Sequence, residues 1–276
     1  MTISAAPAVA AHLDRIGVAA GPPDVAQLDR IVRAHTATVA FENLDPFTGT
    51  DPPVDPAGVT AKLVHGRRGG WCFEHNLLLH DTLRDLGHAV TPLVARVRLG
   101  LERSAPATSR THRLTLVTTS QGRFTVDGGF GATVPTAALR LVTGLEQPTG
   151  QAVYRYDRDA QGTWVLQRRG SSGGWTDQYA FDLLPAPDVD FRTGSWHLTH
   201  HPESGFRTGL TAALVTPRRR TTLDGTRLTV RPADGPARRR ELDSPAQVRA
   251  ALEDELGIDT GGVAGLERRL RAVYFS

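Results

Sequence analysis

The spacing of hydrophobic residues changes at Gly87, which divides the chain into a helical first part and a strand-rich remainder. Before this glycine, apolar positions recur every three or four residues, the period of an amphipathic helix. The pattern predicts four helices, over residues 9–16, 25–35, 56–64 and 71–86. Asp55 followed by Pro56 is typical of an N-cap with proline at the first helical position. Residues 41–47 carry no such period and are predicted to form a loop.

After Gly87 the chain contains short runs of Val, Thr and Leu separated by turn residues, which is typical of antiparallel sheet. The predicted strands cover residues 88–99, 112–118, 122–126, 153–156, 164–167, 211–216, 221–223 and 227–230. Asp224 and Gly225 join the last two strands as a hairpin turn. A last helix is predicted over residues 244–256, where a serine provides the cap.

The composition indicates a folded protein and gives little support to nucleic-acid binding. Of the 276 residues, 39% are hydrophobic and 22% are charged, so an apolar core can form. The net charge is only +3. Arginine triplets at residues 218–220 and 238–240 lie among acidic residues and have no interleaved aromatic side chains, which favours a solvated face. The one functional interpretation that we retain for them is a basic patch beside a phosphate-bearing cofactor.

The compartment is predicted from features that the sequence lacks. A single cysteine, Cys72, excludes an intrachain disulfide. The first residues lack the charged region and apolar run of a secretion signal. No run of about 18 apolar residues could span a bilayer. These features predict a cytoplasmic protein that has no membrane partner.

Cys72 is the first candidate for chemistry because it is predicted to open a helix. A thiol attacks as its thiolate, and a helix N-terminus or a nearby imidazole favours that form. Gly69 and Gly70 precede it and allow a sharp entry, with backbone N–H groups left free for an oxyanion. The alternative is a small buried hydrophobic residue, which unreactive cysteines commonly are.

His112 and Asp127 are candidate partners for this thiol. His112 follows a loop over residues 102–110 and opens a strand, while Asp127 ends the next strand. Adjacent antiparallel strands could place the carboxylate beside the imidazole, where it would fix the tautomer and stabilise the charged form. Taken singly, His112 fits an ordinary surface or core histidine, and Asp127 before Gly128 fits an ordinary turn.

Three further histidines, His197, His200 and His201, could suggest a zinc site. No cysteine lies near them and no helix is predicted there, so we expect an incidental role and no metal.

The residues around the three candidates resemble a known family. Residues 68–76, Arg-Gly-Gly-Trp-Cys-Phe-Glu-His-Asn, resemble the Arg-Gly-Gly-x-Cys-x-Glu-x-Asn signature of the arylamine N-acetyltransferases, and the segments around His112 and Asp127 resemble its histidine and aspartate motifs. Residues 40–45 resemble the Phe-Glu-Asn-Leu element of the family, and residues 134–136 and 146–149 resemble the segment after the aspartate motif. Beyond about residue 150 only residues 201–206 match clearly. Gly128 departs from the pattern, since bacterial relatives commonly carry Val or Ala there.

The resemblance implies an α+β fold with an N-terminal helical bundle, a central antiparallel β-barrel and a C-terminal α/β lid, around a core like that of cysteine proteases and transglutaminases. The implied domains are residues 1–87 with the nucleophile, 88–193 with the histidine and aspartate, and 194–276 as the lid.

The resemblance also implies an activity. Acetyl-CoA would be the co-substrate, with no permanently bound cofactor, and the acetyl group would pass to an arylamine or arylhydrazine by a ping-pong mechanism. Cys72 would carry the thioester, His112 would activate the thiol and move protons, and Asp127 would orient His112. Phe130 would line the acceptor pocket. Phe73 is a second candidate there, with core packing as its alternative.

Other activities remain open from the sequence. Related amide synthases release a polyketide chain as a macrolactam, using a carrier-bound acyl thioester, and would keep the same triad. The space above Cys72, which residues 96–110 and 194–206 border, would separate the two cases. A thiol hydrolase or a non-catalytic binding protein is also possible. A papain-like protease does not fit, because 40 residues separate Cys72 from His112 where such proteases have roughly 130–150.

Overall fold

The first part of the chain is helical in the computed structural model, which describes residues 7–150, 152–170 and 173–275. Its helices are α1 Pro7–Ile16, α2 Val25–Thr38, α3 Leu44–Thr48, α4 Pro56–Thr60, which continues as a π-helical turn Ala61–His65, and α5 Cys72–Asp85. Asp24 and Asp55 cap α2 and α4 by accepting the backbone N–H groups of Gln27 and Gly58. The four predicted helices are confirmed, since each predicted range overlaps α1, α2, α4 with its π turn, or α5.

Helix α5 is buried on nearly all sides. Its leucines pack into a core with α1, α2 and the π turn, and its other face contacts the strands that follow. That arrangement explains why polar residues of α5 are buried as fully as its leucines. A polar group in this position is stable only if the neighbouring elements satisfy its hydrogen bonds.

The middle of the chain forms one antiparallel sheet that curves into a nearly closed barrel. The strands are β2 Ala89–Val97, β3 Arg110–Thr119, β4 Gly122–Val126, β5 Leu139–Arg140, β6 Gln147–Thr149, β7 Ala152–Arg158, β8 Trp164–Arg169 and β9 Trp175–Phe181. Their order across the sheet is β5-β4-β3-β2-β9-β8-β7-β6. Strands β3 and β4 pair with Thr115 opposite Val126. The register therefore puts the start of β3 beside the residue that follows β4.

A second antiparallel sheet joins the two-residue strand β1 Phe41–Glu42 to β10 Thr211–Val215, β11 Arg219–Asp224, β12 Arg227–Pro232 and β13 Arg238–Glu241, in the order β1-β10-β11-β12-β13. The helices of the C-terminal part are α7 Gly205–Thr208, α8 Pro245–Ala250 followed by a π turn Ala251–Glu255, and α9 Leu266–Tyr274. The loop prediction for residues 41–47 is wrong, because Phe41 and Glu42 pair with β10 and α3 follows them. Helix α9 follows the helix that was predicted to be the last one.

Helix α6, Asp188–His200, connects the two sheets and was not predicted. The proposed boundary between residues 193 and 194 lies inside it, and the division into three domains stays a prediction. Among the described residues no helix is both long and apolar enough to cross a membrane. The segment used to predict the lack of a secretion signal begins with residues 1–6, which lie outside the described residues.

Candidate active site

Cys72 occupies the first position of α5 and is 6% exposed. Its Sγ lies 3.6 Å from the carbonyl oxygen of Thr111, the residue before His112. The Glu74 carboxylate accepts the backbone N–H of Trp71 at 3.0 Å and so satisfies one of the free donors of this helix end. The thiol therefore lies at the positive end of the helix dipole and beside the start of β3.

The two glycines before Cys72 serve packing. A Cβ on Gly70 would come within 2.7 Å of a Glu74 carboxylate oxygen, and one on Gly69 would overlap the Ala40 backbone. The N–H of Gly70 donates to the carbonyl of Ala40 at 3.2 Å. The N–H of Gly70 is therefore not among the backbone N–H groups that are free for an oxyanion.

His112 and Asp127 meet as the strand register requires. The His112 Nε2 lies 2.7 Å from Asp127 Oδ2, and both side chains are almost completely buried. Burial alone would lower the pKa of His112, but the charge of Asp127, the hydrogen bond to it and the neighbouring Cys72 raise that pKa well above its usual value. Since Nε2 is taken by the carboxylate, Nδ1 is the nitrogen available to the thiol.

Asn76 completes the environment of the carboxylate. Its amide nitrogen donates to Asp127 Oδ1 at 2.9 Å and to the Arg113 carbonyl at 2.5 Å, and its oxygen accepts the N–H of Gly128 at 2.8 Å. The N–H of Gly129 also donates to Asp127 Oδ1, at 3.0 Å. Burial raises the pKa of Asp127, but His112 and these donors outweigh it and lower the pKa below its usual value.

No role was predicted for Asn76, although it stands in the signature run. The signal that could have found it is its position one turn after Cys72, which places both residues on one face of α5.

The two candidate phenylalanines lie in different surroundings. The Phe130 ring contacts the His112 ring edge-on at a centroid distance of 4.8 Å, and Tyr179 packs against both rings at 4.9 Å. Phe73 is only 3% exposed and packs between Trp71 and Phe191. This position favours core packing as the role of Phe73, while Phe130 borders the imidazole.

A buried cluster of charged side chains packs against the N-terminus of α5. Lys62 Nζ bonds Asp45 at 2.6 Å and Glu74 at 2.7 Å, and Arg68 bonds Glu42 at 2.7 Å and Asp45 at 2.9 Å. Burial alone would raise the pKa of Asp45, but Lys62 and Arg68 outweigh it and lower that pKa. Because Glu74 also accepts the Trp71 N–H, the cluster fixes the start of the helix that carries Cys72.

Two arginines of the triplet at residues 218–220 have different environments. Arg219 pairs with Glu255 at 3.1 Å, but Arg220 lines a cavity of about 370 Å³ together with Arg231, which lies directly opposite on β12. Burial and the charges of Arg168 and Arg231 lower the pKa of Arg220. Among the described residues Arg168, Arg220 and Arg231 form no ion pair, and the Nε atoms of Arg168 and Arg220 are buried without a partner. Like charges opposite each other destabilise a sheet, so this cavity suits an anion.

The three histidines considered for zinc lie at the C-terminal end of α6. His197 and His200 are on α6 and His201 caps it, so the expectation that no helix exists there is wrong. His200 pairs with Asp51 at 2.8 Å. Within the described ranges, no group of three or more His, Cys, Asp or Glu side chains is arranged to hold a metal ion.

Comparison with known proteins gives consistent matches over nearly the whole chain. Residues 24–263 match the family model described as N-acetyltransferase. The chain is 40% identical over 266 residues to the arylamine N-acetyltransferase of Mycolicibacterium smegmatis, covering 94% of this chain and 95% of that one. The Mycobacterium marinum arylamine N-acetyltransferase in complex with CoA superposes with a TM-score of 0.90 at 39% identity, covering 96% of this chain and 99% of that one. The Salmonella typhimurium arylamine N-acetyltransferase gives a TM-score of 0.91 at 30% identity, covering 98% and 100%.

Proposed function

Since the chain belongs to the arylamine N-acetyltransferase family and is an acyltransferase, we propose that it moves an acetyl group from acetyl-CoA to an arylamine or arylhydrazine, with Cys72 as the acyl carrier. The observation that carries this proposal is the buried hydrogen bond between His112 and Asp127 beside the thiol. A charged imidazole next to a thiol favours the thiolate, which is the nucleophile.

The proposed reaction has two half-reactions. In the first, the Cys72 sulfur attacks the carbonyl carbon of the acetyl thioester, the bond from that carbon to the CoA sulfur breaks, and the CoA thiolate takes a proton from His112. In the second, the acceptor amine attacks the Cys72 thioester, gives a proton to His112, and Cys72 leaves as a thiolate. Asp127 keeps the imidazole oriented and stabilises its charge through both steps.

Two features of the structure support acetyl-CoA and an aromatic amine as the substrates. The arginine-lined cavity suits the phosphates of acetyl-CoA, because arginine binds phosphate oxygens through paired N–H groups. Arg220 also approaches the Ala132 carbonyl at 3.5 Å, and Ala132 lies two residues after Phe130. The Phe130 ring beside His112 would line the pocket for an aromatic acceptor.

Incubation with acetyl-CoA alone tests the proposal. We expect intact-mass analysis of the native protein to show a gain of one acetyl group, because no acceptor is present to discharge the thioester. Cys72→Ala, treated in the same way, should gain nothing. Addition of an arylamine should then remove the acetyl group from the native protein and yield the acetylated amine.

The outcomes of this test are distinct. If neither protein gains mass, acetyl-CoA is not the donor and a carrier-bound acyl thioester becomes the substrate to test. If both gain mass, acetylation occurs elsewhere and the Cys72 mechanism is wrong. Release of free acetate in place of the acetylated amine would identify a hydrolase.

Arg220→Ala is expected to raise the KM for acetyl-CoA about tenfold, the loss of roughly one charge-assisted contact, with little change in kcat. The measurement is steady-state arylamine acetylation at varied acetyl-CoA, repeated with a short acetyl thioester that has no phosphates. The short donor should be unaffected by the substitution. Arg123→Ala, which removes an exposed arginine of β4, is the matched control. An equal loss with both donors would show that Arg220 does not bind the phosphates.

A further inference from the structure

Three histidines form a buried chain beneath the candidate active site. His12 Nε2 lies 3.0 Å from His35 Nδ1, and His35 Nε2 lies 2.7 Å from His75 Nδ1. This row of histidines ends on one side at the Thr82 hydroxyl, 2.7 Å from His12 Nδ1. On the other side it ends at the Ala40 carbonyl, 3.1 Å from His75 Nε2. All three imidazoles are 0% exposed, and all of their nitrogens have partners.

The carbonyl at one end fixes the direction of every hydrogen bond. A carbonyl only accepts, so His75 donates from Nε2, and its Nδ1 accepts from His35. By the same reasoning His35 accepts from His12, and His12 accepts from Thr82. Burial lowers the pKa of each imidazole, to about 3 for His12 and about 4 for His75, which keeps the rings neutral as this pattern requires. Since this row of histidines ends at a carbonyl, it does not conduct protons to the thiol. Its effect is on the position of the backbone that packs against it.

The row of three histidines contacts the turn that carries Asp127. A Cβ built on Gly128 would lie 2.9 Å from Cδ2 and 3.1 Å from Nε2 of His35, and a Cβ built on Gly129 would lie 2.6 Å from the Cys72 Cα and 3.1 Å from the His75 Cβ. The backbone after Asp127 therefore rests directly on His35 and on α5. A side chain at either glycine would force these neighbours to shift.

We propose that His35 is a positioning residue: its imidazole, held at both nitrogens, supports the turn at Gly128 and thereby fixes the position of Asp127 relative to the helix that carries Cys72. Asn76 holds the same turn through hydrogen bonds to the Gly128 N–H and the Asp127 carboxylate. An apolar ring could fill the space under Gly128, but it would lack the two hydrogen bonds that lock the orientation of His35. The inference rests on the proposed function, since it assigns His35 to the alignment of Asp127 and His112 with the thiol.

The test measures the rate at which iodoacetamide alkylates Cys72 as a function of pH, which requires no acetyl-CoA. In His35→Phe we expect the rate at neutral pH to fall roughly ten- to a hundredfold, the usual effect of a small misplacement of reacting groups. The acid limb of the profile should move to higher pH, because a displaced Asp127 stabilises the charged imidazole less. His35→Gln, which can donate and accept, should recover part of the rate. His12→Phe removes one of the two hydrogen bonds of His35 but leaves its ring under Gly128, so we expect an intermediate effect. His88→Phe changes a buried histidine outside this histidine chain and is the matched control, which should lower stability without moving the profile.

The outcomes separate this inference from the proposed function. If native Cys72 reacts with the pH profile of an ordinary thiol, the triad mechanism itself fails. If the native profile is that of an activated thiol but His35→Phe leaves it unchanged, or His88→Phe changes it equally, only the role of His35 fails.

A pair of variants covers the case in which His35→Phe does not fold. Gly128→Ala adds a methyl group against the His35 ring and Leu79, and it should slow alkylation. The end of the Leu79 side chain can turn away, whereas His35 is fixed by its two hydrogen bonds. We expect His35→Ala in the Gly128→Ala background to restore part of the rate. Additive losses would overturn the proposal.

Discussion

Asp127→Asn is expected to slow acylation of Cys72 by about three to four orders of magnitude, as aspartate-to-asparagine changes do in other triads. The hydrogen bonds of Asp127 give the reason. Oδ1 accepts from Asn76 and from the Gly129 N–H, so the oxygen of an asparagine must stay at that position. Its NH2 group then points at His112 Nε2 and forces that nitrogen to accept. The proton moves to Nδ1, which can no longer take the proton of the thiol.

The measurement is single-turnover acetylation of Cys72, followed by intact mass. Asp182→Asn is the matched control, because the Asp182 side chain is 38% exposed and pairs with Arg110 at 2.7 Å, near the start of the strand that carries His112. We expect that variant to keep the native rate within a factor of a few. A small effect of Asp127→Asn, comparable to that of Asp182→Asn, would mean that Asp127 has no role in orienting His112.

Local signals predicted the parts of the fold that local interactions determine. Helices α1, α2 and α4 have clear apolar periods and aspartate or proline at their starts, and the hairpin of β11 and β12 has Asp224 and Gly225 at its turn. The two-residue strand β1 could not be predicted in this way, because its partner in β10 lies about 170 residues away. Helix α6 was missed because Gly194 interrupts its pattern. The structure uses that glycine for close approach, since a Cβ there would lie 2.9 Å from the Phe73 ring.

Some residues of the candidate site could likewise be predicted from local signals, and others could not. Cys72, His112 and Asp127 could be chosen from the sequence, because each stands at a predicted start or end of an element and the signature run surrounds the thiol. The contribution of Asn76 depends on β3 and on the turn after β4, which only the assembled barrel brings to α5. The anion cavity similarly requires Arg220 and Arg231 to lie opposite each other across two strands. Pairings between distant segments are what the sequence pattern leaves undetermined.

Arg68→Ala is expected to be the most destabilising of the substitutions considered, by about 3–5 kcal/mol. The buried cluster contains two cations, Lys62 and Arg68, against the carboxylates of Glu42, Asp45 and Glu74. Loss of Arg68 leaves Glu42 without its ionic partner at 0% side-chain exposure. Such a carboxylate must either become protonated or draw in water, and both disturb the helix start that Glu74 caps.

Urea denaturation measures this loss as a fall in the midpoint at constant slope. Arg33→Ala is the matched control: Arg33 is also paired with an aspartate, at 3.1 Å, but its side chain is 50% exposed where that of Arg68 is 12% exposed. An exposed pair contributes at most about 1 kcal/mol, so the control should change little. Arg68→Lys should fall between the two, because a lysine can reach the carboxylates but cannot hold Glu42 and Asp45 through separate planar N–H groups. If Arg68→Ala and Arg33→Ala lose equal stability, the cluster does not hold the start of α5, and its buried charges are only tolerated there.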